Sequence, residues 1–430
     1  MVRFEKSSVF AILFSLILIF DIRSGDMEQL LPMSFGIQLS SILATFFLFF
    51  RINSVFQINR NLLILFIALT LHLSMSVLLL PWYEYGNLSL QRSILIVIPS
   101  IVLLLSISIE KNIYDIFIAV IKSYCFIVVS ISFIAIIVYF FGSINYSGDV
   151  VFQVLNIGPI SVSNVVFGTS PFLRTGGYFG NPNSLARWIV YIYPFLIAMK
   201  LNKDIKNVEF WAYALIATTA LMITISRTGI VVLFVSILAF AFVYKRSFTF
   251  RALIISVGAM SGVVLLYAYM VIFSNSDRSS INFNNRDQAW EFIIQSIREN
   301  PFFGVGFGTS REVILIPNGV DFGAHNFYLE HLSEVGVIGS SVTLVMIVSS
   351  ILYIVQKHKN NVSTEKRIWS SAILVFLSSF FIYMITESAM FRFSSAHFFF
   401  IFVIGCSVHA RFWSGRRHES VKDAPILAGG

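Results

Sequence analysis

Long apolar runs recur from one end of the chain to the other, and they restrict its fold more than any other feature. Each run is long enough, or nearly so, for a helix that crosses roughly 30 Å of hydrocarbon. Segments in lipid must satisfy their own backbone polar groups, which favours helices. We place about twelve runs, at 8–22, 34–50, 61–80, 93–109, 124–141, 184–200, 208–226, 228–244, 251–273, 333–355, 368–386 and 394–410.

The charged residues are too few for a soluble fold. Only 12% of the 430 residues are charged, whereas a soluble domain carries roughly 25%. The chain therefore cannot cover a water-facing surface of the usual kind. The sequence predicts an all-α polytopic membrane protein with about twelve transmembrane helices, organised as a single integral membrane domain over residues 1–430.

The lysines and arginines between the runs indicate the orientation. The formal net charge of +8 is spread over many connections, so we expect no nucleic acid partner. With the N-terminus inside, two thirds of the 30 Lys and Arg residues fall on the inner side, as the positive-inside rule requires. Both termini are then cytoplasmic. Two long connections, 142–183 and 274–332, face outward, and the larger one separates spans nine and ten.

Every basic residue on the predicted outer side is an arginine. A guanidinium fork captures phosphate in a bidentate way that a lysine ammonium cannot reproduce. An outer face of this kind fits a pyrophosphate or another polyanion. Ordinary salt bridges to external carboxylates are the alternative for any single arginine.

Two stretches place arginines beside turns. In "RTGGYFGNPNSLARW", 174–188, Arg174 precedes a turn rich in Gly, Pro and Asn. Arg187 falls in the first turn of the next span, for which Asn183 or Ser184 is the expected N-cap. In "ITISRTGIVVLF", 223–234, Arg227 lies between two apolar runs with almost no loop. An arginine at that depth is costly and marks a functional site by default; snorkelling toward the interface is the alternative for Arg187 and Arg227.

The outer connection 274–332 contains an amphipathic helix between Asn284 and Pro301. Its apolar residues share one helical face: Ala289, Trp290, Ile293, Ile294 and Ile297. We expect this helix to lie on the outer leaflet of the membrane. Arg286 falls in its first turn, where free backbone N–H groups already favour anions.

Three glycines follow that helix, at 304, 306 and 308. Their spacing resembles a dinucleotide-binding loop, but no strand–helix unit surrounds them. We interpret them as a flexible re-entrant turn and expect no cofactor.

His325 is expected to open the next helix on the outer side, with Asn326 directly after it. A histidine in this position can accept a proton from a substrate hydroxyl; a capping or surface histidine is the alternative. His325 and His331 lie on different helix faces, and no HExxH or paired acidic motif is present. We therefore expect no metal site.

The order of these motifs resembles one membrane enzyme superfamily. The stretches "GYFGNPNSLA", "SRTG", "RDQAW", "NPFFGVGFG" and "HNFYLEHLSEVGVIG", over about residues 171–340, resemble the O-antigen ligases and O-antigen polymerases. These are glycosyltransferases of the bacterial inner membrane with a GT-C-like helical fold. The resemblance implies an active site that faces the periplasm and is carried by the connection 274–332 and its amphipathic helix.

The resemblance also implies roles for individual residues. The family transfers a glycan from undecaprenyl pyrophosphate to a sugar hydroxyl, with inversion and without a metal. His325 matches the histidine proposed as general base, and Arg227 and Arg286 match the arginines that hold the pyrophosphate. Secondary candidates for substrate binding are Arg174, Arg187 and Asn326.

The expected function is polymerisation of lipid-linked polysaccharide repeat units, either O-antigen or exopolysaccharide. One alternative is an O-antigen ligase, which transfers the glycan to the lipid A core. A second is a transporter of lipid-linked oligosaccharides, although the sequence has no pair of similar halves. The expected partners are the undecaprenyl-pyrophosphate-linked glycan and the lipid bilayer, with a chain-length regulator and a flippase of the same pathway as further candidates.

Overall fold

The computed structural model describes residues 60–78, 86–147, 150–158, 160–167, 173–244, 286–320, 323–360, 363–388, 390–391 and 394–414. The predicted runs at 8–22, 34–50 and 251–273 lie outside these residues. Each of the other predicted runs coincides with a helix.

The described chain is mostly helical. Its long helices, in order, are α1 (Arg60–Leu78), α2 (Gly86–Ile109), α3 (Ile113–Phe141), α4 (Pro182–Leu201), α5 (Asn207–Thr224), α6 (Arg227–Tyr244), α7 (Arg286–Glu299), α8 (Phe327–Asn360), α9 (Thr364–Tyr383) and α10 (Ser395–Val408). Short helical turns cover Gly177–Phe179, Arg311–Leu315, Ile316–Asn318 and Ala410–Ser414. Within the described residues, six helices are long and apolar enough to cross a membrane: α2, α3, α4, α6, α8 and α9. These helices are those of a polytopic membrane protein.

Helices α4 and α10 lie at the centre of the molecule. Every residue of α10 is buried, and α4 is enclosed along almost its whole length. A helix that is apolar all round must be covered by neighbours, and here large rings cover it. Phe399 stacks on Tyr124 of α3 at 4.5 Å between ring centroids. Phe400 stacks on Phe380 of α9 at 4.5 Å.

The connection 142–183 contains a sheet, so the prediction of an all-α fold is wrong in this region. Strands β1 (Ser143–Ser147), β2 (Val150–Ile157), β3 (Ile160–Phe167) and β4 (Arg174–Thr175) form an antiparallel meander in the order β1-β2-β3-β4. Valine and isoleucine are frequent in β2 and β3, and such β-branched residues favour strands. These strands have at most eight residues, so they do not form apolar runs of membrane-spanning length.

Two polar side chains fasten the sheet to the end of α3. Gln153 donates from Nε2 to the carbonyl oxygen of Tyr139 at 3.1 Å. Asn164 donates from Nδ2 to the carbonyl oxygen of Ala135 at 3.0 Å. The last carbonyls of a helix lack partners within it, and the sheet supplies a partner for that of Tyr139. This attachment fixes β4, and with it Arg174, beside the start of α4.

Helix α8 is broken at Gly336, where φ is +62°. In an unbroken helix, the N–H groups of Val337 and Ile338 would donate to the carbonyls of Ser333 and Glu334. Instead they donate to Pro301 and Phe302, at 2.8 and 3.2 Å. The two released carbonyls accept from Val305 and Gly306, both at 2.9 Å. The segment 301–306 therefore exchanges hydrogen bonds with the break, and every backbone group named here keeps a partner.

Two glycines permit this exchange. A Cβ atom at Gly336 would lie 2.3 Å from backbone atoms of Phe302. A Cβ atom at Gly304 would lie 2.5 Å from backbone atoms of Ser333 and Glu334. The stretches "NPFFGVGFG" and "SEVGVIG" are thus two halves of one structural unit, and the glycine-rich stretch is a paired segment instead of the flexible turn that we expected.

Candidate functional site

His325 lies just before α8 and not within it, which corrects the expected helix start. Its backbone is left-handed, with φ +50°, a conformation that costs a non-glycine residue roughly 1–2 kcal/mol. Two contacts hold it there. Glu330 accepts the His325 N–H at 3.0 Å through Oε1. Trp290 of α7 donates from Nε1 to the carbonyl of Ala324 at 2.9 Å.

Asn326 begins α8. Its Oδ1 accepts the backbone N–H of Leu329 at 3.2 Å, as an N-cap does. The contact explains why an asparagine stands at this position. Its predicted role in substrate binding remains a prediction.

A carboxylate faces the His325 ring. Nδ1 of His325 lies 3.5 Å from Oε2 of Glu387, which follows the end of α9. The His325 side chain is 33% exposed and can reach a substrate, whereas Glu387 is only 7% exposed. Residue-by-residue matching to the family did not identify Glu387. In the sequence, Glu387 is an acidic residue between the last two apolar runs. A carboxylate that is buried there needs a partner.

Asn183 connects Glu387 to Arg174. It donates from Nδ2 to Oε1 of Glu387 at 2.9 Å. Its own Oδ1 accepts from Nη2 of Arg174 at 3.2 Å and from the Ser226 hydroxyl at 3.2 Å. Arg174 also donates from Nε to the carbonyl of Thr224 at 2.9 Å. This network joins β4, the start of α4, the α5–α6 turn and the segment after α9.

Asn183 is free to do this because it does not cap α4. Asn181 is the N-cap, and its Oδ1 accepts the N–H of Asn183 at 2.8 Å. Our assignment of the cap to Asn183 or Ser184 is therefore wrong. Pro182 occupies the first helical position, where its missing N–H carries no cost, so the cap lies one residue before it.

Arg286 and Arg187 complete the positive surroundings. Arg286 donates from Nη1 to the carbonyl of Thr386 at 3.3 Å, next to Glu387. Arg187 is only 7% exposed, so it is no snorkelling anchor. Its Nε–H has no hydrogen-bond acceptor among the described atoms. Buried donors without an acceptor are uncommon in folded proteins, so Arg187 is a candidate for binding an anion.

The charge on Glu387 reflects these neighbours. Burial alone would raise the pKa of Glu387. The hydrogen bond to His325 and the positive charges nearby, including Arg187 and Arg286, outweigh burial and hold the carboxyl pKa below its ordinary value. The carboxylate is therefore ionised at neutral pH and acts only as a hydrogen-bond acceptor.

Arg227 is the first residue of α6 and is exposed. It follows Ser226, whose hydroxyl bonds Asn183. The structure thus brings Arg174, Arg187, Arg286 and His325 around Glu387, and it attaches Arg227 to the same network through the chain.

Arg92 has a different role from these arginines. It forms a bidentate pair with Glu312, at 2.6 and 2.7 Å, and also donates to the carbonyl of Gly308. These contacts hold the segment 304–315 against α2. The ordinary salt bridge that we kept as an alternative is thus correct for Arg92.

Helix α7 packs on protein and not only on lipid. Its residues Ala289 and Ile293 are fully buried, and they form a small core with Val305, Ile314, Leu315, Val320 and Ala324. The expectation that α7 lies on the outer leaflet is therefore corrected, because part of its apolar face packs on protein. The apolar stripe found in the sequence packs against the segment 305–324 that precedes His325, because that segment offers a matching apolar surface.

The arrangement combines an imidazole, an ionised carboxylate and several guanidinium groups. An imidazole paired with a carboxylate can accept a proton, and guanidinium groups can stabilise a phosphate leaving group. Within the described ranges, no three His, Cys, Asp or Glu side chains come together to hold a metal ion.

One family model matches part of the chain. Residues 212–344 match the family model described as O-antigen ligase. No curated protein matches the chain. The matched region contains Arg227, Arg286 and His325, whereas Arg174, Arg187 and Glu387 lie outside it. The match covers the chain from α5 to the middle of α8 and supports the resemblance to the O-antigen ligases and polymerases.

Proposed function

We propose that this protein polymerises lipid-linked polysaccharide repeat units on the periplasmic face of the bacterial inner membrane. The donor is a glycan on undecaprenyl pyrophosphate, and the acceptor is a sugar hydroxyl of a second lipid-linked glycan. The observation that carries this proposal is the convergence of His325 and several arginines around one buried carboxylate. The match of residues 212–344 to the O-antigen ligase family model supports glycan transfer as the kind of reaction.

His325 acts as the general base. The acceptor hydroxyl gives its proton to the imidazole while its oxygen attacks the anomeric carbon of the donor. Its partial exposure allows contact with a substrate. A single displacement of this kind inverts the configuration at that carbon.

The arginines act on the leaving group. As the bond from the anomeric carbon to the phosphate oxygen breaks, negative charge grows on the pyrophosphate. Arg227, Arg286 and the buried Arg187 stabilise that charge, and Arg174 supports them through Asn183. Because preorganised cations are worth more in a water-poor site, this chemistry needs no metal.

A ligase is the second candidate, because the matching family model is described as O-antigen ligase. The two functions differ in the acceptor, which is the lipid A core for a ligase. Deletion of the gene followed by gel analysis of surface polysaccharide separates them. Loss of the ladder with one repeat unit still on the core indicates a polymerase, and a bare core with glycan retained on the carrier lipid indicates a ligase.

A purified assay tests the chemistry directly. Lipid-linked glycan extracted from the deletion strain is incubated with the protein in proteoliposomes, with and without EDTA. We expect longer glycans and free undecaprenyl pyrophosphate in both samples. A protein that moves the lipid-linked glycan across the bilayer without forming a glycosidic bond, and does so equally well as His325→Ala, is a transporter and refutes the proposal.

A further inference from the structure

We propose that Glu387 is a positioning residue for His325: its carboxylate accepts the Nδ1–H of the imidazole, which leaves Nε2 as the nitrogen that takes the proton from the acceptor hydroxyl. This inference rests on the proposed function. Neither the motif resemblance nor the matched region includes Glu387.

The geometry selects the nitrogen. Nδ1 is the ring atom that faces Glu387, at 3.5 Å from Oε2. An ionised carboxylate can only accept hydrogen bonds, so the neutral imidazole carries its proton on Nδ1. The lone pair is then on Nε2, on the far side of the ring. The separation is long for a hydrogen bond, and catalytic contacts of this kind tighten when substrate binds.

Glu387 is itself held in place from its other oxygen. Asn183 donates to Oε1 at 2.9 Å, and Arg286 bonds the carbonyl of the preceding residue at 3.3 Å. Burial at 7% exposure restricts its motion further. A carboxylate that served only as a counter-ion for the nearby arginines would not need to be fixed on both sides.

The charge of Glu387 also matters during the reaction. When His325 accepts the proton it becomes an imidazolium, with Nδ1–H still directed at the carboxylate. The pair is then neutral overall, whereas an isolated imidazolium would stand among Arg187 and Arg286. Glu387 thus stabilises the product of proton transfer and keeps the ring oriented.

Kinetics of the purified protein in proteoliposomes tests this, with lipid-linked glycan from the deletion strain as substrate. We expect Glu387→Gln to lower kcat by about 10- to 1,000-fold. KM for the donor should stay the same or fall, because the variant removes a negative charge that opposes the pyrophosphate. Glu387→Asp should recover part of the lost kcat. Glu299→Gln, the same change at an exposed position of α7, is the matched control and should match the wild type.

A double variant sharpens the test. If Glu387 acts through His325, then Glu387→Gln lowers the residual rate of His325→Ala no further. Independent, multiplying losses would overturn the proposal. So would a variant whose only defect is a raised donor KM or a lower protein level.

A spectroscopic measurement does not depend on activity, so it can be made even if the purified protein transfers little glycan. In protein labelled with ¹⁵N-histidine, the resonances missing from His325→Ala belong to His325. We expect a protonated Nδ1 and an unprotonated Nε2 in the wild type, and loss of that preference in Glu387→Gln. A wild-type ring protonated on Nε2 refutes the positioning role even where transfer is observed. The absence of transfer with the expected tautomer present refutes the proposed function instead.

Discussion

His325 and His331 lie six residues apart in one segment, and their surroundings are opposite. His325 has a left-handed backbone, a partly exposed ring and a carboxylate partner. His331 is only 5% exposed and stacks on Phe327 and Phe391 at 5.0 and 5.1 Å. One ring can meet a substrate hydroxyl, and the other fills the interior.

Hydrogen bonds give His331 a fixed tautomer as well. Nδ1 of His72 donates to the carbonyl of Ala68 at 2.7 Å, so its Nε2 accepts from the Thr343 hydroxyl at 2.9 Å. The Thr343 oxygen then accepts from Nε2 of His331 at 2.9 Å. Thr343 thus joins His331, on the other side of the break in α8, to His72 of α1. The comparison teaches that residue type and motif do not assign a role to a histidine, whereas access to its ring nitrogens does.

The largest effect is expected for His325→Ala. Removal of a general base costs about a hundred- to ten-thousand-fold in rate, while the chain stays folded because this side chain fills no interior space. Turnover of lipid-linked glycan by purified protein measures the loss. A variant that extends chains at a comparable rate would remove His325 from the chemistry, and the contrast with His331 would disappear.

His331→Ala should have the opposite effect to His325→Ala: it should lower the stability and leave the rate nearly unchanged. We expect a loss of about 2–4 kcal/mol in stability, because the substitution leaves a cavity between stacked rings and breaks the contact with Thr343. The rate per folded molecule should change little. Thermal unfolding in detergent, together with turnover corrected for folded protein, checks both statements. Full stability with lost turnover would mean that the buried ring takes part in the reaction.

Arg227→Lys tests whether Arg227 contacts the pyrophosphate of the donor. The charge is retained, but a single ammonium cannot reproduce a bidentate contact with pyrophosphate. We expect kcat/KM to fall by about 10- to 100-fold at normal protein level. Arg298→Lys, at an exposed position near the end of α7, is the control and should behave as the wild type. Equal activity of the two variants would argue against a phosphate contact at Arg227.

The smallest effect concerns the backbone of His325. Because its φ is +50°, glycine should fit this position better than alanine by about 1 kcal/mol. We expect His325→Gly to unfold at a higher temperature than His325→Ala, with both inactive. At His331, within helix α8, glycine should instead be the less stable of the two. If the glycine variant were the more stable of the two at both positions, or the less stable at both, the difference in backbone conformation would be contradicted.

Much of the helical framework could be predicted from the sequence, and part of the site could too. The helices that match predicted runs mostly agree with them within a few residues, but α2, α3 and α8 begin 6 to 11 residues before the predicted starts. His325, Arg174, Arg187 and Arg286 were all singled out, and the structure brings them together. The sheet at 143–175 was missed because its strands are at most eight residues long and form no run of membrane-spanning length. Glu387 was missed because nothing near it in the chain indicates its partner.

The sequence by itself determined which segments are apolar and where most of the described helices form, because these depend on neighbours within a turn or two along the chain. The tertiary structure alone decided that Glu387 faces His325, that Asn183 joins Glu387 to Arg174, and that segment 301–306 fills the break at Gly336. These contacts join residues far apart in the chain. Their free energy depends on distances set by the packing of whole helices, which no local pattern of residues contains.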